Sequence, residues 1–262
     1  MRDTTWVTAG RPPGVARLTK VAATAVGPGR LLVVAVDDRH RLWTNGHGAG
    51  SWTGWAPLDG STAARPSLAG PYLTVRGADG RLLFRRRDRS GWRPWAPVPG
   101  LTGSVATLSR YAGRVVAFHA VHAGTLWSRV FDGARFRAGW APVPGHPRDL
   151  IRHAGAGGGR IVVQDSAYTV WVGRRDGARW RWDDAGRPPA PGPAWDPVTC
   201  GTGWYAVWGG DGRIWGTTGD RRWRPVGERD FASQPAVAAT GPARRAVLAV
   251  GTDGALWLAQ LG

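Results

Sequence analysis

A short pattern recurs six times along this chain, and the last copy lacks a piece that the N-terminus holds. Each copy has a turn and then a block ending in an aromatic or apolar residue: Arg39-His40-Arg41-Leu42-Trp43, Asp79-Gly80-Arg81-Leu82-Leu83, Ala123-Gly124-Thr125-Leu126-Trp127, Ala167-Tyr168-Thr169-Val170-Trp171, Asp211-Gly212-Arg213-Ile214-Trp215 and Asp253-Gly254-Ala255-Leu256-Trp257. The ends of these blocks lie 40, 44, 44, 44 and 42 positions apart. About nine residues further on stands a second aromatic anchor, at Trp52, Trp92, Phe136, Trp180 and Trp223. The sixth block has no such anchor before Gly262. Its counterpart sits at the other end, where Trp6-Val7-Thr8-Ala9-Gly10-Arg11-Pro12-Pro13 echoes Trp182-Asp183-Asp184-Ala185-Gly186-Arg187-Pro188-Pro189. This closure predicts an all-β, six-bladed β-propeller of four-stranded antiparallel blades. Residues 1–262 form one domain, with the N-terminal strand (residues 1–14) completing the last blade.

Within the first full copy the expected strands are Val21–Ala25, Leu31–Val36, Arg41–Thr44 and Ser51–Ala56, separated by Gly- and Asn-rich turns. Asp-Gly at 79–80, 211–212 and 253–254 suits tight hairpins, because glycine accepts the positive backbone angles they need. No helical periodicity persists, and the apolar runs are too short to span a bilayer as helices. Gly155-Ala156-Gly157-Gly158-Gly159 reads as a flexible hairpin loop.

The formal charge is +17, and Lys20 is the only lysine among 35 basic residues. Such an arginine surplus attracts polyanions, but here it is scattered rather than striped, as a GC-rich genome would leave it. Nucleic acid or another polyanion is therefore a partner not favoured, and no membrane partner is expected. The single cysteine, Cys200, excludes an internal disulfide and fits a reducing compartment. With no signal-peptide pattern at the N-terminus, the expected location is cytoplasmic.

Gly29-Arg30-Leu31-Leu32-Val33-Val34, Arg41-Leu42-Trp43 and Trp52-Thr53-Gly54-Trp55-Ala56-Pro57-Leu58 resemble the repeat of bacterial propeller lectins of the Photorhabdus fucose-binding type. Similar repeats occur in many actinobacterial proteins. Trp92-Arg93-Pro94-Trp95-Ala96-Pro97-Val98-Pro99-Gly100 and Gly139-Trp140-Ala141-Pro142-Val143-Pro144-Gly145 fit the same template. The resemblance implies a tryptophan-rich, carbohydrate-binding propeller. It also implies a seven-bladed ring, whereas six copies are counted here.

Positions filled by a large apolar group in every copy read as packing between blades. A third position, three or four residues beyond the second anchor, reads Trp55, Trp95 and Trp140, with Trp182 two residues on; Val226 and Ala9 stand there in the other copies. That unevenness marks these tryptophans as exposed platforms for the apolar face of a sugar. In the second strand one position reads Val36, Arg76, Ala120, Gln164, Trp208 and Val250, and the preceding one Ala35, Val75, His119, Val163, Val207 and Ala249. Arg76, Gln164 and Trp208 join the candidate ligand-binding set. His119, Asp165, His153 and Cys200 form the catalytic set if the protein is an enzyme. The histidines show no metal-ligand spacing, so neither metal nor cofactor is expected. Non-catalytic carbohydrate binding is thus the leading expectation. The alternative is an enzyme or scaffold for a small intracellular metabolite, as in natural-product biosynthesis, using one site in copies three to five.

Overall fold

The computed structural model describes residues 4–102, 104–110, 116–137, 139–145, 151–176, 179–190, 195–201 and 203–262. The chain alternates turns with short runs of Val, Ile, Leu and Trp, and these runs pair as six antiparallel sheets. Blade 1 comprises Leu18–Gly27, Arg30–Asp37, Arg41–Gly48 and an outer strand, Ser51–Trp52, which breaks at Gly54 and resumes as Ala56–Ser61. Blade 2 repeats this with Ser67–Ala69, Tyr72–Arg76, Arg81–Asp88, Gly91–Trp92 and Ala96–Thr102. Blade 3 holds Ala106–Arg110, Val116–His122, Thr125–Phe131 and Ala141–Pro142. His153–Gly157, Arg160–Gln164, Val170–Asp176 and Arg179–Gly186 make blade 4. Trp195–Thr199, Tyr205–Trp208, Ile214–Thr217 and Arg224–Pro225 make blade 5. Blade 6 takes Ala236–Ala239, Arg245–Val250 and Leu256–Leu261 from the C-terminus and its outer strand, Trp6–Gly10, from the N-terminus. That strand pairs Trp6 with Ala259, Val7 with Leu258 and Thr8 with Trp257, so the ring is closed as the echo of residues 6–13 predicted. No described helix is long and apolar enough to cross a membrane.

A four-stranded sheet has two apolar faces and hides neither by itself. The core is accordingly divided into six clusters, each built from two successive blades. Leu32, Val34 and Leu42 of blade 1, for example, meet Leu68, Leu73 and Val75 of blade 2. The inner strands neighbour one another around the axis, where the radius leaves little room. This explains the Gly-rich run of blade 4, which is not a loop but the inner strand His153–Gly157 and its turn. A Cβ at Gly155 or Gly157 would land on the backbone of Pro197 or Thr199 in blade 5. Only glycine lets these two strands run so close.

A chain lacking residues 1–14 exposes the edge of Leu256–Leu261 and removes half of the closing blade's cover. It is expected to aggregate or unfold without cooperativity in a urea titration. A truncated protein melting like the full-length one would contradict this closure.

Candidate functional site

The ladder registers fix which residues are equivalent around the ring. In the third-to-outer strand pairing, Trp43, Leu83, Trp127, Trp171, Trp215 and Trp257 face Pro57, Pro97, Pro142, Asp184, Pro225 and Thr8. Two residues before those partners stand Trp55, Trp95, Trp140, Trp182, Trp223 and Trp6. The uneven third position is therefore tryptophan in every blade; Val226 and Ala9 do not belong there. Five of the six indoles donate to a carbonyl of the preceding blade: Trp55 to Ala9 (3.1 Å), Trp95 to Asp59 (3.1 Å), Trp140 to Pro99 (2.9 Å), Trp182 to Pro144 (3.3 Å) and Trp223 to Ala185 (2.9 Å). After each of these carbonyls comes a glycine at positive φ (Gly10, Gly60, Gly100, Gly145 and Gly186), and Gly227 repeats the feature beside Trp6. A Cβ at Gly60 or Gly100 would lie 2.9 or 2.7 Å from the incoming indole.

These tryptophans are consequently latches as well as surface groups. Trp55, Trp95, Trp140 and Trp182 are half-buried, whereas Trp223 is only 7% exposed. In the same four blades a second aromatic is close by in sequence and packs in the same seam: Trp52, Trp92, Phe136 and Trp180. Trp180 and Trp182 stack with centroids 6.1 Å apart, and the Arg85 guanidinium lies 4.8 Å from the ring centre of Trp95 while pairing with Asp59. The equivalent Arg129 of blade 3 donates to the Pro99 carbonyl at 2.6 Å. Rim truncation therefore has a structural cost the sequence reading did not expect. Trp55→Ala should lose roughly 2–4 kcal/mol of unfolding free energy and Trp55→Phe about 1 kcal/mol, read from urea midpoints.

Asp165 is not catalytic machinery. Its carboxylate accepts the Ala167 and Thr169 amides (2.9 Å each) and the Trp171 indole N–H (2.8 Å), organising a hairpin turn. Asp37 does the same for Arg39, Arg41 and Trp43. In blades 5 and 6 the acid stands two residues later, as Asp211 or Asp253, after a leading glycine, and again accepts the indole. A Cβ at Gly209 or Gly251 would land on that carboxylate, so two sequences place one charge at one spot. Blade 3 has neither arrangement, because its turn is one residue shorter: Val121 pairs Leu126, where Val36 pairs Leu42. The Trp127 indole N–H, buried, has no acceptor among the described residues.

That shorter turn also moves His119. It faces Ser128 and corresponds to Val34 and Val162, not to Ala35 and Val163; Ala120 takes the latter place. His119 is fully buried between blades 3 and 4, against the edge of Trp180, with Nε2 2.8 Å from Ser109 Oγ. No substrate reaches it. Gln164 is also fully buried, its amide donating to the Tyr168 carbonyl at 3.3 Å, so it belongs to the turn rather than to an open site. Trp208 donates to the Phe231 carbonyl at 3.1 Å and is half-buried, and Arg76 is half-buried with its carbonyl bonded by Thr62. His119, Asp165, His153 and Cys200 are not brought together. Only His153 and Cys200 line a common space, and Cys200 stands four strand positions further along, about 13 Å at the rise of a strand. Among the described residues, no cluster of three or more His, Cys, Asp or Glu is placed to hold a metal.

The common space is an axial channel of about 780 Å³, bordered by all six inner strands. At one mouth Lys20 and His153 face the equivalent residues Val36 and Gln164; in blade 5 Trp195 holds that register with Asp196 beside it on a bulge, while Arg65, Val105 and Gln234 stand one or two residues before the inner strands of blades 2, 3 and 6. Arg65 reaches from blade 2 to the Pro235 carbonyl of blade 6 (2.7 Å), so its side chain crosses the mouth. Asp196 sits at φ 47° on a bulge and accepts His153 Nδ1 at 2.7 Å. Burial pushes its carboxyl up, but the bonds from His153 and Gln234 and the charge of Arg65 outweigh this and hold it below the usual value. Sequence reading missed this ring because each member differs from the next.

Burial lowers the His119 pKa from 6.5 to about 3. Its neutral form is favoured in the fold, so the unfolded chain binds the extra proton first. The contribution is complete above pH 6.5 and is lost as pH falls toward 3, at about 1.4 kcal/mol per unit in the steep range. Unfolding free energies measured from pH 7 to 4 should therefore fall less steeply for His119→Gln than for the wild type.

No protein-family model matches the chain, and no curated protein matches it in sequence. Solved structures match in fold. The fungal lectin of Aleuria aurantia, described as a six-bladed β-propeller with a novel mode of fucose recognition, aligns with TM-score 0.65 at 15% identity, covering 97% of this chain and 93% of that one. A triple arginine-to-alanine mutant of AofleA from Arthrobotrys oligospora aligns with TM-score 0.71 at 11% identity, over 99% and 87% of the two chains. YCF48 from Cyanidioschyzon merolae aligns with TM-score 0.52 at 13% identity, over 97% and 98%.

Proposed function

We propose that this propeller binds carbohydrate without catalysis, at the seams on its outer rim. The observation that carries the reading is the pairing of a latched, half-exposed tryptophan with a second aromatic in four successive blades: Trp55 with Trp52, Trp95 with Trp92, Trp140 with Phe136 and Trp182 with Trp180. An indole fixed by its own N–H loses little entropy when a sugar stacks on it. In two of these seams a guanidinium, Arg85 or Arg129, packs on the aromatics and helps hold them in place. The resemblance of the repeat to propeller lectins and the fold shared with fucose-binding fungal lectins agree with this reading.

Titration calorimetry with methyl α-L-fucoside and a neutral glycan array test it. More than one equivalent is expected to bind, and Trp92→Ala and Trp180→Ala are each expected to remove one site while the remaining sites keep their affinity. An array on which nothing is retained, or a stoichiometry untouched by both substitutions, would contradict rim binding.

A further inference from the structure

The axial channel differs from the rim in both symmetry and charge. Among the described residues, the side chains bordering it include four permanent cations, Lys20, Arg65, Arg110 and Arg152, against the single carboxylate of Asp196. Asp196 feels the charge of Arg65 across the mouth and Arg152 lies over the Tyr168 ring, 5.7 Å from its centre, while Lys20 has no ion-pair partner among the described residues. An excess of positive charge inside a low-dielectric wall focuses its field on the enclosed volume and concentrates small anions there. That volume, about 780 Å³, is of the size that holds a small organic ligand.

The remaining mouth groups set the chemistry. Gln234, His153 and Asp196 supply donors and acceptors from three blades in one bonded chain. Val105, 41% exposed just before the inner strand of blade 3, offers an apolar surface beside them. A chain of polar groups, one apolar side and the Lys20 ammonium fits a molecule with hydroxyls, C–H faces and one anionic group. Asp196 is held in the left-handed region, which costs energy for a non-glycine residue and is characteristic of built sites.

We propose that the channel is a single binding site, separate from the rim, for a hydroxylated organic anion of monosaccharide size: a sugar acid or a sugar phosphate. Lys20 attracts the anionic group, Gln234 and His153 meet hydroxyls, and the Arg65 side chain, bonded to the Pro235 carbonyl, partly covers the opening.

Titration calorimetry of the full chain with glucuronate, glucose 6-phosphate and glucose tests this, the first two separating carboxylate from phosphate. One equivalent of at least one anion should bind, none of glucose at this site, and affinity should fall as sodium chloride is raised. Lys20→Gln should weaken binding about tenfold, the loss of one charge-assisted contact. Asp196→Asn should tighten it, because asparagine tolerates the same backbone angle while the repelling charge is removed. Trp92→Ala and Trp180→Ala should leave it unchanged, so rim binding and axial binding fail separately. Silence with both anions, equal binding of glucose, or weakening by Asp196→Asn as large as that by Lys20→Gln would overturn the proposal.

Discussion

The ring depends on a tryptophan N–H from one blade meeting a carbonyl of the blade before it. Each outer strand carries a glycine with positive φ at or just past its end, and at Gly60, Gly100 and Gly227 the missing Cβ leaves room for the neighbouring indole. Five such bonds run between successive blades, at distances of 2.9–3.3 Å. The sixth indole, Trp6, sits beside Gly227 and packs on Phe231 with centroids 4.5 Å apart, but its N–H finds no described acceptor. Closure by the N-terminal strand therefore rests on strand pairing and apolar contact more than on the latch. A second group of polar anchors, the turn aspartates, fixes the inward-facing tryptophans from the opposite end of the hairpin.

These two constraints divide the molecule. The rim is nearly symmetric, because five of the six junctions repeat the same latch. The axis is free of that constraint, since only small side chains are needed where the inner strands converge, and its mouth carries six different residues. Repeated sites belong on the first surface and a single site on the second. The arginine surplus follows the same division: Arg85, Arg129 and Arg221 bridge blades at the rim, and Arg65 bridges them at the axis. The exposed pair of Arg221 with Asp184 contributes little to stability. The sidedness of these arginines matters more for what the surface attracts.

The fold was legible because period, turn residues and the displaced N-terminal copy all pointed to one ring. The site was less so. Counting residues from the turn misaligned blade 3, whose hairpin is one residue shorter, and so gave His119 a false equivalence with Val163. Trp223 and Trp6 were grouped with the second anchors because the outer strands of blades 5 and 6 lack the extra aromatic found in blades 1–4. Asp165 looked like a singleton although Asp37 stands at the same position, and Asp211 and Asp253, two positions later in sequence, put the carboxylate in the same place. The Gly-rich run of blade 4 looked flexible, when close approach to Pro197 and Thr199 is what requires it. Each miss concerns pairing across strands, which spacing along one strand does not carry.

The latch is tested most directly by comparing two glycines that share a positive φ but differ in what surrounds them. Gly91 (φ 115°) has nothing within 4 Å of an added Cβ, whereas at Gly100 (φ 108°) that Cβ would lie 2.7 Å from the Trp140 ring. Equilibrium urea unfolding of Gly91→Ala should show only the backbone cost, about 1–3 kcal/mol. Gly100→Ala should lose clearly more, with a shift in tryptophan fluorescence of the native state as Trp140 is displaced. Equal losses and an unchanged spectrum would contradict the account.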